Sequence, residues 1–448
     1  MNKHKRSSFS GKLGFVLSAA GASVGLGNIW RFPYLAAKYG GGIFLLIYII
    51  LALTFGYSMI MAETSLGRMT RRSPVGAFES FGKTRLRSAG GWINAIIPIL
   101  IVPYYSVIGG WVIKYLVEYF MGHGQALASD EYFSGFISNG LSTEICFLVF
   151  TFITLGIIYA GVRNGIERVS KFMMPILVVL SVIIAVYSVT RPGAMAGVKY
   201  LLVPNMANFS WMTVVSAMGQ MFYSLSIAMG ILITFGSYMK KETSIEDSTQ
   251  NVEIFDTAIA IMAGLMIIPA VFAFSGGDPN TLQAGPALMF ITIPKVFANM
   301  GFGTVIGILF FLLVLFAAVT SSIALTESAV STFEDELHWS RKKATVFMGV
   351  VMVLLGTLSC LGYGPLAGVT IIGMQFLDFF DFLTNSVMMP IAAIAICLFV
   401  SKVVGLQKME EEITQDGQPF RRKKIFYFMI QYLCPIFAAI ILISSVAN

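Results

Sequence analysis

Residues 21–33 read Gly-Ala-Ser-Val-Gly-Leu-Gly-Asn-Ile-Trp-Arg-Phe-Pro and are the most informative part of the chain. It lies inside the first long apolar segment, where a membrane helix would be expected to continue without interruption. Three glycines, an amide, a guanidinium and a proline instead predict that the helix breaks here. Lipid cannot hydrogen-bond the backbone groups that a break releases, so a break survives only where it lines a cavity in the protein. Broken membrane helices of this kind hold substrate and ions in transporters.

The composition is that of an all-α polytopic membrane protein. The chain has 448 residues, 56% of them hydrophobic and 12% charged, with a mean hydropathy of +0.80. A soluble protein of ordinary composition carries about 25% charged residues. A membrane helix needs about 20 mainly apolar residues, and eleven such segments, numbered here as spans 1 to 11, are predicted. They lie near residues 13–36, 41–67, 91–120, 143–160, 167–190, 211–239, 248–275, 301–332, 344–360, 372–401 and 425–446.

The basic residues predict the orientation of these spans. If the spans alternate in direction, 24 of the 30 lysines and arginines fall on the side of the N-terminus and four fall on the other side. Because cytoplasmic loops are enriched in lysine and arginine, the N-terminus is predicted to be cytoplasmic. An odd number of spans then makes the C-terminus extracellular. The net charge of +7 therefore reports topology, and no nucleic-acid partner is expected because no segment is long enough for a soluble basic domain.

A second break is predicted in span 6. Residues 224–230 read Ser-Leu-Ser-Ile-Ala-Met-Gly, which interrupts an apolar segment. Spans 1 and 6 are five apart, so two repeats, over about 13–190 and 211–401, would have opposite topology within a single transporter domain, 1–448. The segment 425–446 would be an additional helix. Breaks at matching positions in two repeats indicate a substrate site, whereas glycines that only allow close helix packing are the alternative.

Polar residues in other spans offer ligands for a cation. Thr320 and Ser321 in span 8 could complete an ion site with carbonyl groups freed in span 1, or could bond back to the preceding helical turn. Asp256 lies in span 7, where an ionised carboxylate costs roughly 3 kcal/mol and usually has a functional partner. Arg31 and Asp381 could pair across an outer vestibule or form a structural salt bridge.

Other polar and sulfur-containing residues have simpler interpretations. Glu63 in span 2 could accept amide hydrogens from unwound backbone. No nucleophile–base or metal constellation indicates an enzyme. The four cysteines lie in apolar segments without paired spacing and are interpreted as buried packing residues rather than disulfides or metal ligands. They are Cys146, Cys360, Cys397 and Cys434.

The motifs together resemble the neurotransmitter:sodium symporter family. The resemblance is carried by Gly-Leu-Gly-Asn-Ile-Trp-Arg-Phe-Pro-Tyr at 25–34, Tyr-Gly-Gly-Gly at 39–42, Gly-Gln-Met-Phe-Tyr-Ser-Leu-Ser at 219–226, Thr-Ser-Ser-Ile-Ala at 320–324 and Glu-Asp-Glu at 334–336. It covers essentially the whole chain. Eleven spans rather than twelve make the chain similar to the bacterial amino-acid branch, which includes tyrosine, tryptophan and multi-hydrophobic amino-acid transporters.

The resemblance implies a fold and a set of site residues. The fold would be the bacterial leucine-transporter type, a five-plus-five inverted repeat with spans 1 and 6 broken. The first of two sodium sites would use the Ser23 carbonyl with Asn28, Ser224, Asp256 and the substrate carboxylate. The second would use the carbonyls of Gly21, Val24 and Ala317 with Thr320 and Ser321. The residues implied to contact the substrate are Ala22, Ser23, Leu26, Gly27, Ile101, Tyr105, Tyr223, Ser224, Ser226, Met229, Ser321 and Leu325. Tyr105 and Tyr223 would close an outer lid, with an outer gate and an inner gate formed by the pairs Arg31–Asp381 and Arg6–Asp335.

The function implied by the resemblance is sodium-coupled import of a hydrophobic or aromatic L-amino acid by alternating access. The location would be the bacterial cytoplasmic membrane. Family members that carry monoamines have an aspartate where this chain has Gly25, so its substrate is expected to bring its own carboxylate. Asp256 replaces the usual asparagine and Ala260 replaces the serine of chloride-dependent members, which favours chloride independence. A proton-coupled carrier, an amino-acid-gated channel and a receptor without turnover remain open alternatives.

Overall fold

The chain folds into a bundle of long apolar helices. A computed structural model describes residues 6–278, 282 and 284–447. Lys3 and Lys5, which contribute to the predicted orientation, lie outside these residues. Within the described ranges, nine helices are long and apolar enough to cross a membrane, and they correspond to spans 2–5 and 7–11. They are Gly42–Thr70, Arg85–Phe120, Gly140–Tyr159, Val162–Val189, Ile245–Ser275, Gly303–Glu336, Arg341–Leu361, Phe376–Val404 and Lys423–Val446.

Span 1 is broken where its sequence predicts. Helix Lys12–Ser23 is followed by Gly27–Lys38, and the two pieces meet at an angle of 54°. Together they form a tenth apolar span. Pro33 lies in the first turn of the helix Phe32–Lys38, where a missing N–H costs no helical hydrogen bond.

Span 6 also consists of two helices, Trp211–Ser224 and Ile231–Ser237. Between them, Ser226 and Ala228 have positive φ values of 53° and 58°, which residues with a Cβ atom rarely adopt. The buried carboxylate of Glu63 accepts the N–H of Ala228 at 2.7 Å, so span 2 stabilises the unwound segment as anticipated. Because the two halves of span 6 do not form one continuous apolar helix, the count of eleven spans stays a prediction.

Close packing brings the second half of span 6 against span 2. A Cβ atom on Gly67 would lie 2.0 Å from the carbonyl oxygen of Ile233, and one on Gly236 would lie 2.4 Å from that of Thr64. Only glycine allows the two backbones to approach this closely, as small residues do between membrane helices. These glycines therefore serve packing, whereas the glycines of span 1 lie at the break.

Short helices connect the spans on both sides of the bundle. The two broken spans line one cavity together with residues of spans 3 and 8. The short helical segments are Pro74–Glu79, Gly124–Leu127, Asp130–Ser138, Ala194–Leu202, Leu288–Ala298 and Leu406–Ile413.

Candidate substrate and sodium sites

The two breaks face each other across a small central cavity of about 30 Å³. Every residue predicted to contact the substrate lines this cavity, and Gly25 and Asn28 line it as well. The complete lining is Ala22, Ser23, Gly25, Leu26, Gly27, Asn28, Ile101, Tyr105, Tyr223, Ser224, Ser226, Met229, Ser321 and Leu325. Their roles in binding stay predictions, but the fold brings all of them to one place.

Helical spacing explains how spans 3 and 8 reach the cavity. Ile101 and Tyr105 are four residues apart, as are Ser321 and Leu325, and residues at this spacing share one face of an α-helix. Each span therefore presents one polar and one apolar side chain to the cavity. The hydroxyl of Tyr105 lies 3.5 Å from the backbone nitrogen of Leu26, so span 3 contacts the break in span 1.

Gly25 lies at a crowded part of the cavity wall. A Cβ atom at this position would lie 2.8 Å from the Ser321 hydroxyl and 3.2 Å from the Tyr105 hydroxyl. The wall at this point thus consists of backbone and two hydroxyl groups. Such groups suit a carboxylate supplied by a ligand, because hydroxyls and free amides at a helix end are hydrogen-bond donors.

A buried polar cluster surrounds Asp256. Its carboxylate accepts hydrogen bonds from the Asn28 amide at 2.8 Å and from the Ser224 hydroxyl at 2.9 Å. The Asn28 amide also donates to the Ser224 oxygen at 2.9 Å. Three of the four residues predicted for the first sodium site are therefore in direct contact. The Ser23 hydroxyl donates to the Ala19 carbonyl at 3.1 Å, which leaves the predicted role of the Ser23 carbonyl untouched.

Tyr48 is a member of this cluster that sequence reasoning missed. Its hydroxyl lies 3.1 Å from Ser224 and 3.3 Å from Asp256. Nothing in span 2 distinguishes Tyr48 from the other aromatic residues of the membrane segments, because only the packing of span 2 against span 7 brings it to the carboxylate.

The residues predicted for the second sodium site also come together. The Ser321 hydroxyl lies 3.2 Å from the carbonyl oxygen of Gly21 and 3.4 Å from that of Val24. Thr320 donates back to its own helix, at 3.1 Å from the Ala317 carbonyl, as the structural alternative anticipated. The Thr320 side chain nevertheless faces Gly21, because a Cβ atom added to this glycine would lie 3.0 Å from the Cβ atom of Thr320. Carbonyl and hydroxyl oxygens without a carboxylate surround this position.

The predicted inner gate is closed. Arg6 forms an ion pair with Asp335 at 2.6 Å and donates further hydrogen bonds to Ser237 and Ser331, at 2.8 and 2.9 Å. The backbone N–H of Ser73 binds the second carboxylate oxygen of Asp335 at 2.7 Å. The N-terminal segment is thereby held against spans 6 and 8.

The predicted outer gate does not form a direct ion pair between its described residues. The Arg31 guanidinium lies over the Tyr223 ring, 5.1 Å from its centre. Asp381 instead accepts hydrogen bonds from Tyr104 at 3.2 Å and Asn385 at 2.6 Å. Both gate residues line a vestibule of about 510 Å³, and each finds polar or aromatic partners on its own side of this space. The expected contact between them is therefore absent in this conformation.

Comparison with known proteins decides the family. The model of the sodium:neurotransmitter symporter family matches residues 6–129 and 134–448. The chain belongs to this family. It is 35% identical to YhdH, an uncharacterised sodium-dependent transporter of Bacillus subtilis, over 100% of this chain and 99% of that protein. It is 32% identical to an uncharacterised sodium-dependent transporter of Haemophilus influenzae, over 99% of both chains.

A solved structure supports the same assignment. The crystal structure of MhsT in complex with L-phenylalanine matches with a TM-score of 0.88 and 36% sequence identity, over 98% of this chain and 100% of that chain. The resemblance seen in the motifs and the all-α transporter fold are confirmed. The protein is thus a multi-span, sodium-dependent symporter and not an enzyme.

Proposed function

We propose that this symporter imports hydrophobic or aromatic L-amino acids together with sodium. The observation that carries the proposal is the central cavity, which has an apolar wall opposite unwound backbone. That wall consists of Leu26, Ile101, Met229 and Leu325. The flexible side chain of Met229 can adjust to side chains of different shape. The L-phenylalanine bound to MhsT, whose structure resembles this one, supports an aromatic substrate.

The substrate carboxylate would bind at the break in span 1. The Tyr105 hydroxyl and the Leu26 backbone nitrogen, 3.5 Å apart, are donors on that side of the cavity. The substrate side chain would then point toward Met229 and the apolar wall. The cavity of about 30 Å³ is smaller than such a side chain, so Met229 and the two lid residues, Tyr105 and Tyr223, would have to move on binding.

Two sodium ions would bind beside the substrate as co-transported cargo. In the structure, hydrogen-bond donors from Asn28, Ser224 and Tyr48 satisfy the buried Asp256 carboxylate. A sodium ion in the first site would provide positive charge for both Asp256 and the substrate carboxylate. Sodium and substrate would therefore each raise the affinity of the other, as linkage requires. The second ion would bind the oxygens gathered around Ser321.

We propose that the negative charge of Asp256 makes transport independent of chloride. A fixed carboxylate next to the first sodium site provides the negative charge that a bound anion would otherwise supply. Ala260, one helical turn further along span 7, has no hydroxyl to bind such an anion.

Transport would proceed by alternating access with the N-terminus in the cytoplasm. The Arg6–Asp335 contact holds the cytoplasmic side shut, while the vestibule at Arg31 and Asp381 lies toward the outside. Opening of the inner contact after the outer side closes would release sodium and substrate into the cell.

Uptake into proteoliposomes tests the proposed function. With an inward sodium gradient, we expect accumulation of leucine, phenylalanine, tyrosine or tryptophan above the external concentration. Replacement of sodium by choline at constant pH should abolish it, which distinguishes sodium coupling from proton coupling. Uptake of glutamate or lysine without uptake of any hydrophobic amino acid would contradict the pocket assignment. Equilibration without accumulation would indicate a channel.

A further inference from the structure

Three sulfur atoms meet where spans 2, 10 and 11 pack together. The Cys397 thiol lies 3.5 Å from the thioether sulfur of Met59, a residue 338 positions away in the chain. Cys434 is a neighbour of Cys397, on the helix Cys434–Ala447 that packs against the helix Met389–Leu398. The exposed fractions of Met59, Cys397 and Cys434 are 0%, 1% and 0%. The proposed substrate and sodium sites use none of these side chains, and the sequence interpretation treated both cysteines as packing residues.

We propose that Met59, Cys397 and Cys434, called here the sulfur cluster, bind a soft monovalent cation of the Cu⁺ and Ag⁺ class. Thiolate and thioether ligands select such ions, whereas sodium and magnesium prefer oxygen. One thiol would lose its proton to solvent and form a sulfur–metal bond. The other thiol and the thioether would remain neutral donors. The bound complex then carries no net charge, which suits a buried apolar position because an uncompensated charge there is costly.

The surroundings of the sulfur cluster connect it to the central cavity. Phe55, one helical turn before Met59, stacks on Phe222 with a ring separation of 6.0 Å. Phe55 also makes an edge contact with Phe437 of span 11 at 5.9 Å. Phe222 precedes Tyr223, a residue of the cavity wall. An ion that joins spans 2, 10 and 11 would restrict this aromatic group and slow uptake. That consequence rests on the proposed function, whereas binding of the ion does not.

Silver binding tests the sulfur cluster directly. A Cys146→Ser/Cys360→Ser background retains only the two cysteines of the cluster. The purified background protein, in chloride-free nitrate buffer, should bind one Ag⁺ per chain and develop ultraviolet silver–thiolate absorption that saturates at one equivalent. In this background, Cys397→Ser or Cys434→Ser should weaken binding more than about 100-fold, and Met59→Leu about tenfold. Met61→Leu, a buried methionine in the same helix, is the matched control and should bind as the background does.

The outcomes separate binding from folding and from transport. Thermal unfolding without silver establishes that each variant is folded, and Ag⁺ should raise the Tm of the background but not of the cysteine variants. Absence of stoichiometric silver absorption in the background protein would overturn the proposal without depending on any cluster variant. Equal Ag⁺ affinity in the background and in the Cys397→Ser/Cys434→Ser protein would overturn it as well. Amino-acid uptake by the silver-free background reports on the proposed function separately.

Discussion

The amide nitrogen of Asn28 lies 2.8 Å from a carboxylate oxygen of Asp256, and this contact joins the break in span 1 to span 7. Both side chains are fully buried. Ser224, at the end of the first half of span 6, lies 2.9 Å from each of them. A buried carboxylate is tolerated only with such partners. One polar cluster therefore connects both broken spans to the charge that we propose for sodium binding.

Replacing Asp256 tests the source of negative charge in this cluster. We expect Asp256→Ser to reduce sodium-driven uptake at least about tenfold, or to make uptake dependent on chloride, because a partner that forms charge-assisted hydrogen bonds is lost. Uptake in chloride and in gluconate buffers would distinguish these results. Asp247→Ser is the control, since Asp247 lies on the same helix but pairs with Arg421 at 3.0 Å near the surface. Unaltered sodium and anion dependence in Asp256→Ser would remove Asp256 from the mechanism.

The hydroxyl of Tyr48 should position the Asp256 carboxylate. Loss of this partner in Tyr48→Phe is expected to raise the sodium concentration for half-maximal uptake by about tenfold, as loss of a group that orients an ion ligand often does. Maximal uptake at saturating sodium should change less. Tyr115→Phe is a matched control, because the Tyr115 hydroxyl donates to the Phe290 carbonyl at 2.8 Å, outside the cluster. Identical sodium dependence in the two variants would show that Tyr48 is only a packing residue.

A carboxylate at position 25 should exclude amino acids. In Gly25→Asp the new side chain would enter the space next to Ser321 and Tyr105, whose hydroxyls lie 2.8 and 3.2 Å from a Cβ atom there. Because two like charges placed together cost several kcal/mol, binding of L-phenylalanine should weaken more than about tenfold, and phenethylamine should become the better competitor.

Two alanine variants provide the controls for position 25. Gly25→Ala adds the crowding without the charge and should show a smaller loss of binding. Gly156→Ala should bind as the unmodified protein does, since no atom lies within 4 Å of a Cβ atom at that position. Unchanged L-phenylalanine affinity in Gly25→Asp would place the substrate carboxylate elsewhere.

The Arg6–Asp335 ion pair should favour the conformation closed to the cytoplasm. Asp335→Asn retains an acceptor for the Ser73 N–H but removes the charge that faces Arg6. A partly exposed ion pair stabilises the closed conformation by about 1 kcal/mol, so its loss should raise the population open to the cytoplasm about fivefold. The measurement is the labelling rate of a cysteine introduced at the buried Ser18, in a background lacking the four native cysteines.

An ion pair in the connections on the predicted outer side serves as the control for this experiment. Asp130→Asn breaks the contact of Asp130 with Lys295, and the labelling rate should stay unchanged. If Asp335→Asn also labels at the unmodified rate, the Arg6–Asp335 pair does not gate the cytoplasmic side.

Interactions between spans are the part of the site that the sequence did not reveal. Tyr48 joins the Asp256 cluster only because span 2 packs against span 7, and Met59 meets Cys397 only because span 2 packs against span 10. The direct Arg31–Asp381 pair was expected from the resemblance and does not form, since each residue has partners on its own side of the vestibule. Contacts of this kind depend on helix rotation and separation, which hydropathy does not encode.

The membrane-spanning class and the position of both breaks could be predicted from local physics, because apolar length selects membrane helices and glycine-rich polar segments interrupt them only at a protein cavity. The residues that line the cavity were implied by the family resemblance, since hydropathy does not select them. Contacts that neither the hydropathy nor the resemblance predicted came from the tertiary structure, as Tyr48 meets Asp256 and Cys397 meets Met59. The reason is that a buried polar or sulfur atom is defined by its neighbours, and those neighbours come from distant parts of the chain.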